Sequence, residues 1–268
     1  MVIPTFRRNR ELAEAITSVQ AQVGVNIEIV VVDDSPEGGA HAVVRSRGDP
    51  RISYMRNPAP TGGVPSIVRN LGWPRTNGEF IHFLDDDDIV PAGYYVAAMA
   101  RFANCPEAGL VFGKIEPFGA CPETQLRHEQ RYFAKAACRA AICAKLGRKL
   151  SFAAQMLFDL PVLVCSASIV RRECVADVGG FDPNIRLMED ADFHLRIMRS
   201  YGACFLDCLA LNYRIGYPSL MHAPIPSSTQ QQLQREGRVR MRAKYLRQHG
   251  AAEYYALALL NRMVRLTR

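Results

Sequence analysis

Along the first half of the chain, short apolar runs rich in β-branched residues alternate with segments whose apolar positions recur every three or four residues. Leu12, Ile16 and Val19 share one helix face, and residues 27–32 form a continuous apolar run, as expected of a strand buried on both faces. Residues 1–3, 52–55, 80–84 and 110–115 read as further strands, the first ended by Pro4. Residues 66–71 read as a helix opened by the turn Thr61-Gly62-Gly63. A second helix is expected from Pro91, a suitable first-turn residue, to about Phe102. Such alternation with short links predicts an α/β fold built on a doubly wound, mostly parallel sheet. Ligands of such sheets lie beyond the carboxyl ends of the strands, where both acidic runs of this half, Asp33-Asp34 and residues 85–88, fall.

The pattern then changes. Residues 117–160 are helix-like, basic and Ala-rich, and read as a helical insertion or lid. Residues 162–170 read as a strand, 171–178 as a short helix, and 189–200 as an amphipathic helix with Phe193, Ile197 and Met198 inward. From Gln230 the tail is helical and basic, with Tyr254, Leu257, Leu260 and Val264 as its apolar stripe. The expected organisation is a domain over 1–220 (halves 1–116 and 161–220 around the insertion 117–160), followed by a basic helical extension, 221–268.

Composition narrows the class. The 268 residues are 49% hydrophobic and 22% charged, which suits an ordinary globular chain and argues against disorder. The net charge of +7 is concentrated in residues 127–149 and 235–268, where it can attract phosphates or an anionic membrane, or form solvated helix faces. Neither stretch interleaves aromatics in the manner of a nucleic-acid surface, so no nucleic-acid partner is expected. The richest apolar stretch, 160–170, is too short to span a membrane. With no basic-then-apolar leader at the start, a cytoplasmic location is expected. The eight cysteines form no CxxC pair, so buried reduced thiols are expected rather than a zinc site.

Three clusters carry chemistry. Four adjacent carboxylates, Asp85, Asp86, Asp87 and Asp88, repel one another at a strand end, and a hard divalent cation, Mn²⁺ or Mg²⁺, resolves that repulsion. A solvated acidic turn with Asp88 capping the next helix is the alternative. An aspartyl phosphatase motif is a weaker rival, because Ile89 fills the place of its Thr or Val. Asp33-Asp34-Ser35-Pro36 suits a turn, and an Asp there can also accept the imide N–H of uracil or thymine. Gly179-Gly180-Phe181-Asp182 followed by Glu189-Asp190 puts carboxylates at a helix start, suited either to general-base work on a hydroxyl or to an ordinary helix N-terminus.

In this order the clusters resemble the family-two glycosyltransferases with the GT-A fold, the nucleotide-diphospho-sugar transferase type. The match runs through Pro4-Thr5-Phe6, Asp33-Asp34-Ser35, Gly62-Gly63 with Val68-Arg69-Asn70, Gly78-Glu79-Phe80, residues 84–88, residues 166–172, Gly179-Gly180-Phe181-Asp182 and Glu189-Asp190. It covers roughly residues 2–219. The resemblance implies a metal-dependent, inverting, hexosyltransferase-type enzyme that uses a nucleotide-diphospho-sugar, UDP- or dTDP-linked. It implies that Pro4, Thr5, Phe6, Asp34, Gly63 and Arg69 surround the nucleotide, that Asp86 lies by the ribose and diphosphate, and that Asp85 supports that loop. Asp87 takes the metal-ligating position, Asp190 that of the catalytic base, and Glu189 stands beside it at the acceptor edge. The implied acceptor is a glycan or lipid-linked glycan of cell-surface polysaccharide or glycoconjugate synthesis, at the inner membrane face. Arg127, Arg131, Lys135, Arg139, Lys145, Arg148 and Lys149 are candidates for holding lipid phosphates.

The sequence lacks the family's glycine in the Asp33-Asp34-Ser35 turn, and it departs from the family again at the close of the core. Relatives often close the core with Tyr-Arg-x-His, whose histidine can reach the metal or diphosphate. This chain has Tyr213-Arg214-Ile215-Gly216, with His222 a few residues on. A non-catalytic nucleotide-sugar binding module is the alternative that this departure motivates.

Overall fold

A computed structural model of the protein describes residues 1–147, 149–216 and 228–266. Seven strands and nine α-helices are assigned among them: β1 (Val2–Thr5), α1 (Asn9–Gln20), β2 (Ile29–Asp33), α2 (Ala40–Ser46), β3 (Ile52–Arg56), α3 (Pro65–Gly72), β4 (Phe80–His82), α4 (Tyr94–Asn104), β5 (Leu110–Phe118), α5 (Glu123–Leu146), α6 (Leu150–Phe158), β6 (Ser168–Arg171), α7 (Arg172–Val178), α8 (Glu189–Tyr201), β7 (Ala203–Arg214) and α9 (Ser228–Leu266).

β1, β2 and β3 are parallel neighbours, and every residue of β2 is buried, as its apolar run requires. A second sheet has the order β4-β6-β5-β7. A parallel bridge between Val2 and Phe83 joins the two sheets. The pairing is mostly parallel, with β6 antiparallel to both neighbours. The carboxyl ends of β1, β2 and β4 therefore open on one side, where Thr5, Asp33 and the 85–88 turn leave the sheet.

Aromatic packing ties the amino-terminal strands to the later helices. Phe83 meets Phe181 and Phe193 edge-on at 4.9 and 5.7 Å, and those two rings stack at 4.1 Å. In α8, Phe193, Ile197 and Met198 all face the core. Residues 151–157 of α6 are buried, and α6 packs against α5, α8 and α9. α9 buries Leu257 and Val264, with Tyr254 and Leu260 partly covered, and is broken at Gly250, where φ is 80°. Ionic contacts fasten it: Arg199 grips Glu253 at 2.6 and 2.7 Å, Lys244 reaches Asp182 at 2.8 Å and Asp192 at 3.2 Å, and Arg265 reaches Asp159 at 3.1 Å.

Three sequence expectations need correction, and one strand, β7, has no counterpart among them. The strand expected over 162–170 is ordered as a strand only from Ser168, preceded by a 3₁₀ turn at Cys165–Ala167. Val162 and Leu163 are buried by loop packing, and burial without a ladder leaves the same apolar pattern as a buried strand. β7 gives no clean alternation because its register against β5 shifts near Lys114. The helix expected from Pro91 begins at Tyr94. Asp88 does not cap it: Asp88 is fully buried and accepts the Arg214 N–H at 3.0 Å, tying the acidic turn to β7. All eight cysteines are free, five of them buried.

Candidate active site

The floor of the site is made by strand ends. Beyond β1, the Thr5 hydroxyl donates to Asp86 Oδ2 at 2.7 Å and the Phe6 N–H to the same oxygen at 3.3 Å. Beyond β2, the two aspartates divide their work. Asp33 accepts the N–H groups of Ser35 and Ala40 and shapes its own turn. Asp34 turns to the 57–63 loop and accepts from Asn57 Nδ2 at 2.6 Å, the Thr61 hydroxyl at 2.8 Å and the Gly63 N–H at 2.6 Å. Burial opposes the Asp34 charge, but these donors outweigh it and hold the carboxyl below the usual carboxylate range. Both oxygens of Asp34 are thereby engaged in ordering the Gly-containing loop.

The acidic turn after β4 is unevenly solvated. Asp86 is buried and Asp87 has a side chain 16% exposed. Burial, then the charge of Asp87, pushes Asp86 up to about 7, with Arg8 and Thr5 opposing. Asp87 is raised by burial, again against the pull of Arg8. Arg8 Nη1 stands 3.2 Å from Asp86 Oδ1 and 2.5 Å from Asp87 Oδ2. The backbone of Asp85 donates to Ser166 Oγ at 3.0 Å.

Arg69 connects this turn to the amino end of α8. It is 2% exposed, and its guanidinium donates to Asp85 at 2.6 Å and Glu189 at 2.9 Å. The next residue, Asn70, donates to the Phe181 carbonyl at 2.8 Å and accepts the Phe181 N–H at 2.9 Å. Gly180 lies beside it with φ at 70°, and a Cβ there would come 2.5 Å from Asn70 Oδ1, so only glycine leaves room. Asn70 and the Gly180-Phe181 turn thus lock together across the molecule. At the start of α8, Glu189 is held above its ordinary value by burial and the neighbouring Asp190, with Arg69 pulling it back. Asp190, half-buried, is raised by burial against Arg69. Its Oδ1 accepts the Ala191 N–H at 2.7 Å.

These groups line one cleft of about 890 Å³. Pro4, Thr5, Phe6, Asp34, Gly63, Arg69, Asp85, Asp86, Asp87, Glu189 and Asp190 all lie on its surface. Sequence reasoning did not assign the opposite wall, where α5 brings Tyr132 and α9 brings Gln234 and Arg238. It also left out Arg8, although that residue lies only two positions beyond Pro4-Thr5-Phe6. At Gly216, φ is 92° and a Cβ would sit 2.3 Å from the Ala120 carbonyl oxygen. The backbone here therefore leaves no room for the family histidine. His222 lies outside the described residues.

The donor set suits a hard cation. Asp86 and Asp87 offer carboxylate oxygens at the cleft surface, both raised chiefly by burial and both in contact with Arg8. Among the described residues no three His, Cys, Asp or Glu side chains converge as a complete cage. A cation here would take one or two of these oxygens and complete its shell with substrate phosphates and water.

The chain belongs to glycosyl transferase family 2, whose family model matches residues 1–179. Its architecture is that of GT-A glycosyltransferases. Among curated relatives, a GalNAc(5)-diNAcBac-PP-undecaprenol beta-1,3-glucosyltransferase of Campylobacter jejuni is 35% identical over 115 residues, 39% of this chain and 37% of that protein. An uncharacterized Mycobacterium tuberculosis protein, MT1568, is 26% identical over 76% of this chain and 63% of its own length. The chain thus spans less than two thirds of either. Among solved structures, S. aureus TarS 1-349 in complex with UDP-GlcNAc superposes with a TM-score of 0.69 at 16% identity, over 97% of this chain and 69% of that one. The mannosyltransferase PcManGT from Pyrobaculum calidifontis, in complex with GDP-Man and Mn²⁺, gives 0.68 at 17%, over 99% and 69%.

Proposed function

We propose that this protein is an inverting, metal-dependent glycosyltransferase that moves a hexose from UDP or dTDP to a hydroxyl of a glycan or lipid-linked glycan. The observation that carries this reading is the meeting of the nucleotide-side turns, the acidic run and Glu189-Asp190 in a single cleft. The TarS and PcManGT complexes, with UDP-GlcNAc and with GDP-Man and Mn²⁺, support a nucleotide-sugar donor and a divalent ion. The Campylobacter relative, named for a PP-undecaprenol glycan, supports the lipid-linked acceptor.

Asp34 orders the 57–63 loop over the base, and Thr5 and Phe6 fix Asp86 by the ribose and diphosphate. Arg69 holds the Asp85 and Glu189 carboxylates in register, so the donor floor and the amino end of α8 keep a set separation. Asp190, raised by burial, takes the acceptor's proton as the acceptor oxygen bonds to the anomeric carbon and the bond to the diphosphate breaks. Mn²⁺ or Mg²⁺, held by Asp87 with the donor phosphates, would neutralise the charge left on that diphosphate. The test is release of UDP or dTDP from the sugar donor. Asp190→Asn should lower turnover by about 10²–10⁴-fold while donor binding is kept. Equal turnover in the variant removes Asp190 as base. Binding without turnover in the wild type makes the chain a binding module, the reading favoured by the crowded backbone at Gly216.

Attachment to an anionic membrane belongs to the same reading. Among the described residues no helix is long and apolar enough to cross a membrane. Arg127, Arg131, Lys135, Lys145 and Lys149 are exposed, whereas Arg139 turns inward to within 3.9 Å of Asp159, and Arg148 lies outside the described residues. α9 adds exposed apolar side chains at Tyr255, Leu259 and Met263. Vesicles containing phosphatidylglycerol should retain the protein at low salt. Failure to do so ends the membrane claim and leaves the transferase reading intact.

A further inference from the structure

Arg8 occupies an unusual place in the cleft. It caps the start of α1, and its side chain, 30% exposed, lies on the cleft surface. Nη1 bridges the two carboxylates named above, 2.5 Å from Asp87 Oδ2 and 3.2 Å from Asp86 Oδ1. A small divalent ion binds its carboxylate oxygens at about 2.0–2.1 Å. An ion on the same oxygen would stand within about 5 Å of the guanidinium nitrogen, with two positive centres competing for one carboxylate.

The acidic turn has other anchors. Thr5 and Phe6 hold Asp86 Oδ2, Ser166 Oγ accepts the Asp85 N–H, and Arg214 Nε donates to the Asp87 carbonyl at 2.7 Å. The Asp88 side chain is tied to the Arg214 N–H. The turn therefore keeps its course if Arg8 leaves. A planar guanidinium is also well matched to phosphate oxygens, which accept its N–H groups in pairs.

We propose that Arg8 is a resident counter-cation of this site, bridging Asp86 and Asp87 while the nucleotide is absent and exchanging them for the donor diphosphate when the metal ion enters. The exchange half rests on the donor reading given above. It makes metal and nucleotide binding cooperative: an ion alone competes with Arg8 for the same carboxylate oxygen, whereas an ion arriving with a diphosphate offers the guanidinium a new anionic partner.

The experiment is a titration of Mn²⁺ alone, followed by the electron paramagnetic resonance of the free ion, into the wild type, Arg8→Met and Arg8→Gln. The Met and Gln variants should bind Mn²⁺ about 10-fold more tightly than the wild type, within the range of ordinary coupling between sites. Adding Asp87→Asn to Arg8→Met should abolish the gained affinity. With saturating UDP the advantage of the variants should vanish or reverse, because the wild type then regains a use for its arginine. Equal or weaker Mn²⁺ binding by both variants overturns the proposal, as does gained binding that survives Asp87→Asn. Urea midpoints close to the wild type's establish that the variants are folded. If neither UDP, dTDP nor GDP binds any of the proteins, the donor reading fails, while the titration with Mn²⁺ alone still decides whether Arg8 holds the cation's place.

Discussion

Arg69→Met removes a cation that joins the buried Glu189 carboxylate to the partly exposed Asp85 carboxylate, while preserving much of the side-chain volume. Arg69 is 2% exposed and binds Asp85 at 2.6 Å and Glu189 at 2.9 Å. The Asp85 side chain is 33% exposed and can turn to water, so its share of the loss resembles that of a surface pair, about 0–1 kcal/mol. Glu189 has a side chain only 9% exposed. Leaving such a charge without its partner costs about 3–5 kcal/mol. Glu189 is already held above the ordinary carboxylate range, and losing Arg69 raises it further, so protonation offers an escape at low pH. The expected destabilisation is therefore about 3–6 kcal/mol at pH 8 and distinctly smaller at pH 6. Urea midpoints at the two pH values measure it, and adding Glu189→Gln to Arg69→Met should recover most of the loss at pH 8. A loss below about 1 kcal/mol, or an equal loss at both pH values with no recovery in the double variant, would refute the reasoning.

Three further outcomes follow from the geometry. Asp34→Ala should cost about 1.5–3 kcal/mol for each charged hydrogen bond not replaced by water and should speed amide exchange at Thr61 and Gly63; unchanged exchange there contradicts the anchoring role. The Arg199 hydrogen bonds hold Glu253 down at about 2, against an ordinary value of 4.5. Its contribution is complete above pH 4.5 and lost as pH falls toward 2, so the gap in urea midpoint between wild type and Glu253→Gln should close over that window; a gap independent of pH excludes the ionic clamp on α9. Gly216→His should lower stability by about 1–3 kcal/mol through overpacking without tightening Mn²⁺, and a stable variant with a stronger metal site contradicts the crowding at Ala120.

Much of this site could be read from the chain because its chemistry sits at strand ends. An apolar run that stops at Asp33-Asp34, and another that stops at residues 85–88, place carboxylates beyond the sheet by pattern alone. Glu189-Asp190 was legible for a similar reason, since the periodicity of Phe193 and Ile197 fixes the helix they open. Arg8 was not legible: its contact with Asp86 and Asp87 spans the chain from α1 through β4 and depends on where two loops meet. Tyr132, Gln234 and Arg238 come from α5 and α9, where a cleft-facing residue looks like any polar position on an amphipathic helix. Asp34 shows a different limit. Its position beside the cleft follows from the strand, but its engagement with Thr61 and Gly63 follows from loop geometry that no local pattern encodes. The same holds for Asp88, whose burial is set by β7.

The most direct test of the central claim is thermal stabilisation by UDP, dTDP and GDP, each with and without Mn²⁺, in wild type and Asp87→Ala. A ligand present at 100 times its Kd adds about 2.7 kcal/mol, a shift easily resolved. The account predicts a shift with UDP or dTDP that requires Mn²⁺ and is absent in Asp87→Ala. Absence of a shift with all three nucleotides, or an undiminished shift in Asp87→Ala, would contradict it.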